Sequence, residues 1–250
     1  MKKNTPIVSI FGVPFPSHHK YNAYRILEKT LSHHGNARIF TPNPEMLWAA
    51  HQDAKILSLL SSADFLLPDG NGILLAARLS GQRLPEVITG IDTAEWMLNY
   101  AQYHRLSVFL LGGKQGIAKR AEQCLMQKFP SLRICGTHHG YFDKNANSAE
   151  NQALLHKLQH LKPDLLFVCF GFPLQEQWIA ENTPSLPFLR ASIGLGGALD
   201  IWSGSVRRAP RTIQAIRCEW LWRAVCQPRR FRRLLYLPRF LGAAFGERFQ

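Results

Sequence analysis

Seven short runs of apolar and β-branched residues, IVSIFGV, ARIFT, ADFLLP, SVFLLGG, LRICGT, PDLLFVCFG and ASIGLGG, recur in order through the first two hundred residues. Between them lie longer segments with helical period. Residues 44–62 place Met46, Leu47, Ala50, Ala54, Leu57 and Leu60 on one stripe. Residues 114–129 do so with Ile117, Ala121, Cys124, Leu125 and Phe129, and residues 148–161 with Leu154, Leu155, Leu158 and Leu161. Short strands alternating with amphipathic helices predict an α/β, Rossmann-like layered fold with a largely parallel sheet. No internal repeat interrupts the pattern.

Nearly every strand candidate runs into a polar or glycine-rich turn: Thr41-Pro42-Asn43, Pro68-Asp69-Gly70, Gly112-Gly113, Gly171-Phe172-Pro173 and Gly194-Leu195-Gly196-Gly197. In an open parallel sheet these turns share the edge where ligands sit, so the chemistry is expected there. The stretch FLLGGKQGIAKRAEQ reads as strand, turn and helix with Lys114 at the helix start. Gly112, Gly113 and Lys114 could hold phosphate on exposed amides and a positive helix end, or the glycines could only permit close packing. The same two readings apply to Gly196 and Gly197 in GLGGALD. Asp69, directly after a strand, is placed either to take a proton from a substrate hydroxyl or to cap the helix beginning near Asn71.

No metal site is expected. The chain holds no Asp-x-Asp pair to supply the acidic oxygen ligands that a divalent ion would want, which favours arginines or a helix dipole over a metal for neutralising phosphate. The pairs His18-His19, His33-His34 and His138-His139, and His156 with His160, have no carboxylate or cysteine companions and read as solvated or capping residues. Five cysteines without Cys-x-x-Cys spacing support neither a disulfide frame nor zinc. Leu165–Leu174 is about half the roughly 20 residues that span a bilayer, and Pro14 and Pro16 break the N-terminal apolar run, so neither a transmembrane helix nor a signal peptide is expected.

Charge divides the chain at about residue 205. From Arg207 to Gln250 there are eleven arginines against Glu219 and Glu247, which supplies +9 of a total of +13. Residues 1–205 are therefore expected to form the α/β domain and residues 206–250 a basic helical appendage, with helices from about Pro210 to Cys226 and from Pro228. In the second, Phe231, Leu234 and Leu235 make an apolar stripe, with Arg229, Arg230, Arg232 and Arg233 on the other faces. Such a helix suits an anionic membrane surface, where four arginines contribute about 4 kcal/mol. A docking helix, a lipid-binding module without catalysis, or a nucleic-acid contact would use the same residues. The base-reading or stacking module expected of a nucleic-acid protein is not visible, so no nucleic acid is expected.

Several ordered motifs resemble the WecG/TagA/CpsF family of bacterial glycosyltransferases: TPNPEML at 41–47, ADFLLPDGNGILLAARLSGQRLPEVITGID at 63–92, FLLGGKQGIAKRAEQCL at 109–125, GTHHGYF at 136–142, GFPLQEQWI at 171–179, and GLGGALDIWSGSVRRAP followed by EWLWRAVCQPRRFRR. The resemblance implies an inverting transferase that needs no metal or other cofactor. It would move a sugar from a UDP-sugar to a lipid-linked acceptor, an undecaprenyl-diphosphate saccharide, while peripheral on the cytoplasmic membrane face. N-acetylmannosamine, its uronic acid and a hexose all stay open as the sugar, as does a homo-oligomer. It further implies Asp69 as general base, Thr41 and Asn43 beside it, Gln175 on the substrate, and Arg223, Arg230 and Arg233 as the appendage's functional arginines. Where members carry Arg after Pro-Glu, Val87 stands here, leaving Arg78 and Arg83 as candidates for its role.

Overall fold

The computed structural model describes residues 6–207, 209–210, 213, 222 and 236–249. Its main sheet has six parallel strands in the order β4-β3-β8-β7-β5-β6, comprising β3 (Ala37–Phe40), β4 (Phe65–Leu66), β5 (Ser107–Gly112), β6 (Arg133–His138), β7 (Leu165–Cys169) and β8 (Ala191–Gly194). The central strands β5 and β7 are buried at every residue, as parallel strands covered on both faces must be.

The pleat sends alternate side chains to two separate cores. Phe109, Leu111, Leu166 and Val168 join one, and Val108, Leu110, Leu165 and Phe167 the other. Right-handed crossovers decide which helices cover which face. The steps β3 to β4, β6 to β7 and β7 to β8 run one way across the sheet. Their helices α2 (Pro44–Gln52), α3 (Ala54–Ser61), α7 (Ala149–Leu161) and α8 (Leu174–Asn182) pack into the first core. The steps β4 to β5 and β5 to β6 run the other way, and α5 (Gly90–His104) and α6 (Ile117–Lys128) fill the second core with α1 (Lys20–Leu31) and α9 (Ala198–Trp202). Helix α4 (Asn71–Leu79) packs into the first core after β4.

Local chemistry altered several expected elements. IVSIFGV is not one strand of the main sheet: Phe11 and Gly12, at φ 50 and 79, turn β1 (Ile7–Ile10) back onto β2 (Val13–Pro16) as a separate antiparallel hairpin. Pro14 and Pro16 lack amide protons, which confines that strand to an edge. The predicted helix over 44–62 breaks at Asp53, whose extended backbone (φ −138) frees its carboxylate to accept from Lys55 N at 2.8 Å and cap α3. Ala54 consequently leaves the buried stripe and is exposed. Helix α6 starts at Ile117, behind a left-handed Gly116 (φ 83), three residues later than expected, so Lys114 lies in the preceding turn and not at the helix start.

The helices expected over 210–226 and from 228 lie outside the described residues. The last described helix, α10 (Leu237–Gly246), returns to the α/β domain, burying Phe240 and Ala244 in the first core with α4 and the β1–β2 hairpin. Phe240 meets Phe11 edge to face at 5.5 Å, and Glu247 Oε1 accepts from Phe11 N at 2.9 Å. Among the described residues no helix is long and apolar enough to cross a membrane.

Candidate active site

Because the six strands are parallel, their C-terminal ends open on one edge, and the turns singled out above meet there. Asp69 N donates to Pro42 O at 2.9 Å, which extends the β3–β4 pairing into the two turns. Ile88 N donates to Pro68 O at 2.9 Å, bringing the start of α5 alongside. The Asp69 carboxylate Oδ2 then accepts from Gly90 N at 3.2 Å, the first residue of a 15-residue helix that Thr89 caps. Asp69 thus accepts from the first amide of α5, at the positive end of that helix's dipole.

Thr41 is buried at the end of β3, and its hydroxyl donates to Gly194 O, at the end of β8, at 3.3 Å. A Cβ on Gly90 would approach Thr41 Oγ1 to 2.9 Å, so Gly90 seats both Thr41 and Asp69. Asn43 serves as the cap of α2, its Oδ1 accepting from Met46 N at 3.1 Å. On the far side of Gly194 lie Gln175 and Glu176, whose Nε2 and Oε1 would stand 2.9 and 3.1 Å from a Cβ there. Gln175 is buried, and its Oε1 accepts from Gly171 N at 3.2 Å and Gly196 N at 2.8 Å, tying the turn after β7 to the turn after β8. Its Nε2 donates to Glu176 Oε1 at 2.8 Å.

The glycine turns are committed largely to the fold. A Cβ on Gly112 would fall 2.3 Å from Cys169 O, Gly113 N donates to Cys169 O at 3.2 Å, and Gly113 O accepts from Gly140 N at 2.8 Å. Close approach of β5 to β7 requires glycine at 112, and the Gly113 amide points inward. Gly196 N is held by Gln175, while Gly197 precedes α9. Lys114 is exposed on the rim. The rings of His138 and His139 lie 4.6 Å apart, tilted by 34°, and burial lowers the His138 pKa. Val87 packs against the first core, and Arg78 and Arg83 are exposed.

Thr41, Asp69, Gln175 and Gly196 therefore come together around the ends of β3, β4, β7 and β8, with Gly112 and Gly113 at the neighbouring strand. Arg223, Arg230 and Arg233 lie outside the described residues. The chain on either side of them packs on the α/β domain: Val206 N donates to Asp200 O at 2.9 Å, and Leu237 Cδ1 would lie 3.9 Å from a Cβ on Gly72, three residues after Asp69.

Two residues escaped the sequence reading. Gly90 stands in ITGID with no local sign that it touches Thr41, nearly fifty positions away. Glu176 carries a charge-type side chain yet is fully buried, and that burial pushes its pKa up to about 7. Its place beside Gln175 and two residues before the buried Trp178 was the one available signal.

Gly90→Ala is expected to reduce kcat/KM by about tenfold or more, because both Thr41 and Asp69 must shift, while overpacking costs about 1–3 kcal/mol of stability. Steady-state kinetics beside thermal denaturation checks this; parent-like turnover would remove Gly90 as the common seat.

The family model described as "Glycosyl transferase WecG/TagA/CpsF family" matches residues 8–250. A Bacillus subtilis protein is 32% identical over 233 residues, 93% of this chain and 88% of its own length. One from Bacillus spizizenii is 34% identical over 218 residues, covering 87% and 82%. One from Staphylococcus aureus is 29% identical over 242 residues, covering 96% and 92%. All three carry the name N-acetylglucosaminyldiphosphoundecaprenol N-acetyl-beta-D-mannosaminyltransferase. With the matched region spanning both the strand-end turns and the basic C-terminal segment, the chain belongs to the WecG/TagA/CpsF family of glycosyltransferases.

Proposed function

We propose that this enzyme transfers N-acetylmannosamine from its UDP donor to N-acetylglucosaminyl-diphosphoundecaprenol, with inversion and without a metal, while peripheral on the inner membrane face. The observation that carries the mechanism is the Asp69 carboxylate at the sheet edge, held on Gly90 N beside the buried Thr41. Asp69 takes the proton of the acceptor hydroxyl as that oxygen attacks the anomeric carbon, and UDP departs with the bonding pair. The names of the relatives supply the sugar and the acceptor.

The leaving diphosphate carries charge that something must balance. The arginines of the basic segment, with Arg223, Arg230 and Arg233 assigned by family resemblance, are the cations for that task, and planar guanidinium groups suit diphosphate oxygens. Lys114 on the rim adds a further cation. The arginine and aromatic content of the segment suits the anionic lipid that carries the acceptor.

Purified enzyme incubated in EDTA with a panel of UDP-sugars, with and without a short-chain lipid diphosphate N-acetylglucosamine, should release UDP from UDP-N-acetylmannosamine only when acceptor is present. Release from a different donor alone would replace the sugar. Activity that appears only on adding Mg²⁺ or Mn²⁺ would overturn metal independence, and no release from any donor would overturn the substrate assignment.

A further inference from the structure

We propose that Glu176 is a positioning residue for the transfer reaction: it orients the Gln175 amide, and through it the turns after β7 and β8 that border the site. The inference deepens the reading of this edge as the active site and rests on it.

The argument begins with the two-fold ambiguity of a glutamine amide. The Gln175 oxygen faces two donors, Gly171 N and Gly196 N, so the NH₂ group must face an acceptor, and Glu176 Oε1 at 2.8 Å is that acceptor. Rotated by half a turn, the NH₂ group would oppose two N–H donors and the oxygen would oppose a carboxyl oxygen. The Gly171 and Gly196 amides then lose their acceptor at once. Gly171 (φ 83) and Gly196 (φ 55) are left-handed positions with no neighbour within 4 Å of a Cβ, so side-chain packing does not hold these turns at their apices; Gln175 does.

Glu176 is also a poor residue for stability. It is fully buried, its second oxygen Oε2 has no hydrogen-bond partner among the described residues, and it packs against the backbone of Gly194 beside Thr41. An unsatisfied buried carboxyl costs stability that an apolar side chain of similar shape would not. Burial raises its pKa to about 7, so near neutral pH much of it is the neutral acid, whose carbonyl oxygen still accepts from Gln175. A residue that costs stability and fixes the geometry of two site turns has the mark of a functional compromise.

The test compares Glu176→Met and Glu176→Gln in the full-length enzyme by three readouts: thermal denaturation, hydrogen exchange of the Gly171 and Gly196 amides, and acceptor-dependent UDP release. For E176M we expect a Tm within a few degrees of the parent, because removing the unpaired Oε2 offsets the acceptor that Gln175 Nε2 loses, with at least tenfold faster exchange at both amides and kcat/KM lowered at least tenfold. For E176Q, whose amide oxygen accepts the same Nε2–H, exchange protection and most of the lost activity should return. Parent-like exchange in E176M overturns the proposal regardless of substrate. A lowered Tm with equal losses in both variants overturns it in favour of a purely structural role. If the parent itself releases no UDP, the substrate assignment has failed, while the exchange data still decide whether Glu176 positions these turns.

Discussion

Asp69→Asn should lower kcat by about 10²- to 10⁴-fold, the range that a positioned general base contributes. The substitution is isosteric, and Asn Oδ1 can still accept from Gly90 N, so the contact that joins the β4 turn to α5 survives. What disappears is proton affinity, together with a charge–dipole contribution of about 0.3–1 kcal/mol at the α5 N-terminus. Tm should therefore move by only a few degrees, and KM for the donor should change less than kcat. Burst and steady-state measurement of UDP release with saturating acceptor separates these quantities. Turnover within tenfold of the parent, in a protein of normal Tm, would remove Asp69 as the base and direct attention to another proton acceptor on the same edge.

Phe240→Ala should cost about 3–5 kcal/mol, the usual range for emptying a fully buried aromatic site. Phe240 has no exposed surface. It lies in the same core as the β1–β2 hairpin and α4, edge to face with Phe11. The exposed Phe245 on the same helix provides the control: F245A should stay within about 0.5 kcal/mol of the parent. Because α4 begins two residues after Asp69, detachment of α10 in F240A should also lower turnover, and chemical denaturation paired with kinetics would show the two losses together. A loss below about 1 kcal/mol would mean that α10 contributes little to the folded unit and that residues 237–249 behave as an accessory.

The second prediction bears on how the chain is organised. Charge alone separates residues 206–250 from the rest, since the arginines cluster there. Yet the terminal helix buries apolar side chains in the core of the α/β domain. A net charge describes what a segment repels or attracts, and Phe240 and Ala244 answer to a different physical quantity, apolar area removed from water.

The layered α/β architecture was legible because its signals are local. A buried parallel strand needs an unbroken apolar run, as in SVFLLG and LLFVC, and a covering helix needs a stripe at its own period, as in Leu154, Leu155 and Leu158. Turn chemistry is local too, so Asp69 and the glycine turns could be placed at strand ends before any contact was known. Where a side chain two residues away competes with the helix, as Asp53 does by accepting from Lys55 N and capping α3, periodicity failed for equally local reasons. Strand order, the contact of Thr41 with a residue 153 positions distant, the seat that Gly90 makes for Asp69 and the inward turn of the Gln175 amide had no trace in the residues beside them. The sequence by itself determined the alternation of strands and helices and the carboxylate, amide and glycines available at the sheet edge, since these follow from backbone propensity and side-chain chemistry. Only the tertiary structure decided which of those groups face the site and which are spent inside the fold, because burial and hydrogen-bond partners are set by segments that meet only after the sheet has closed.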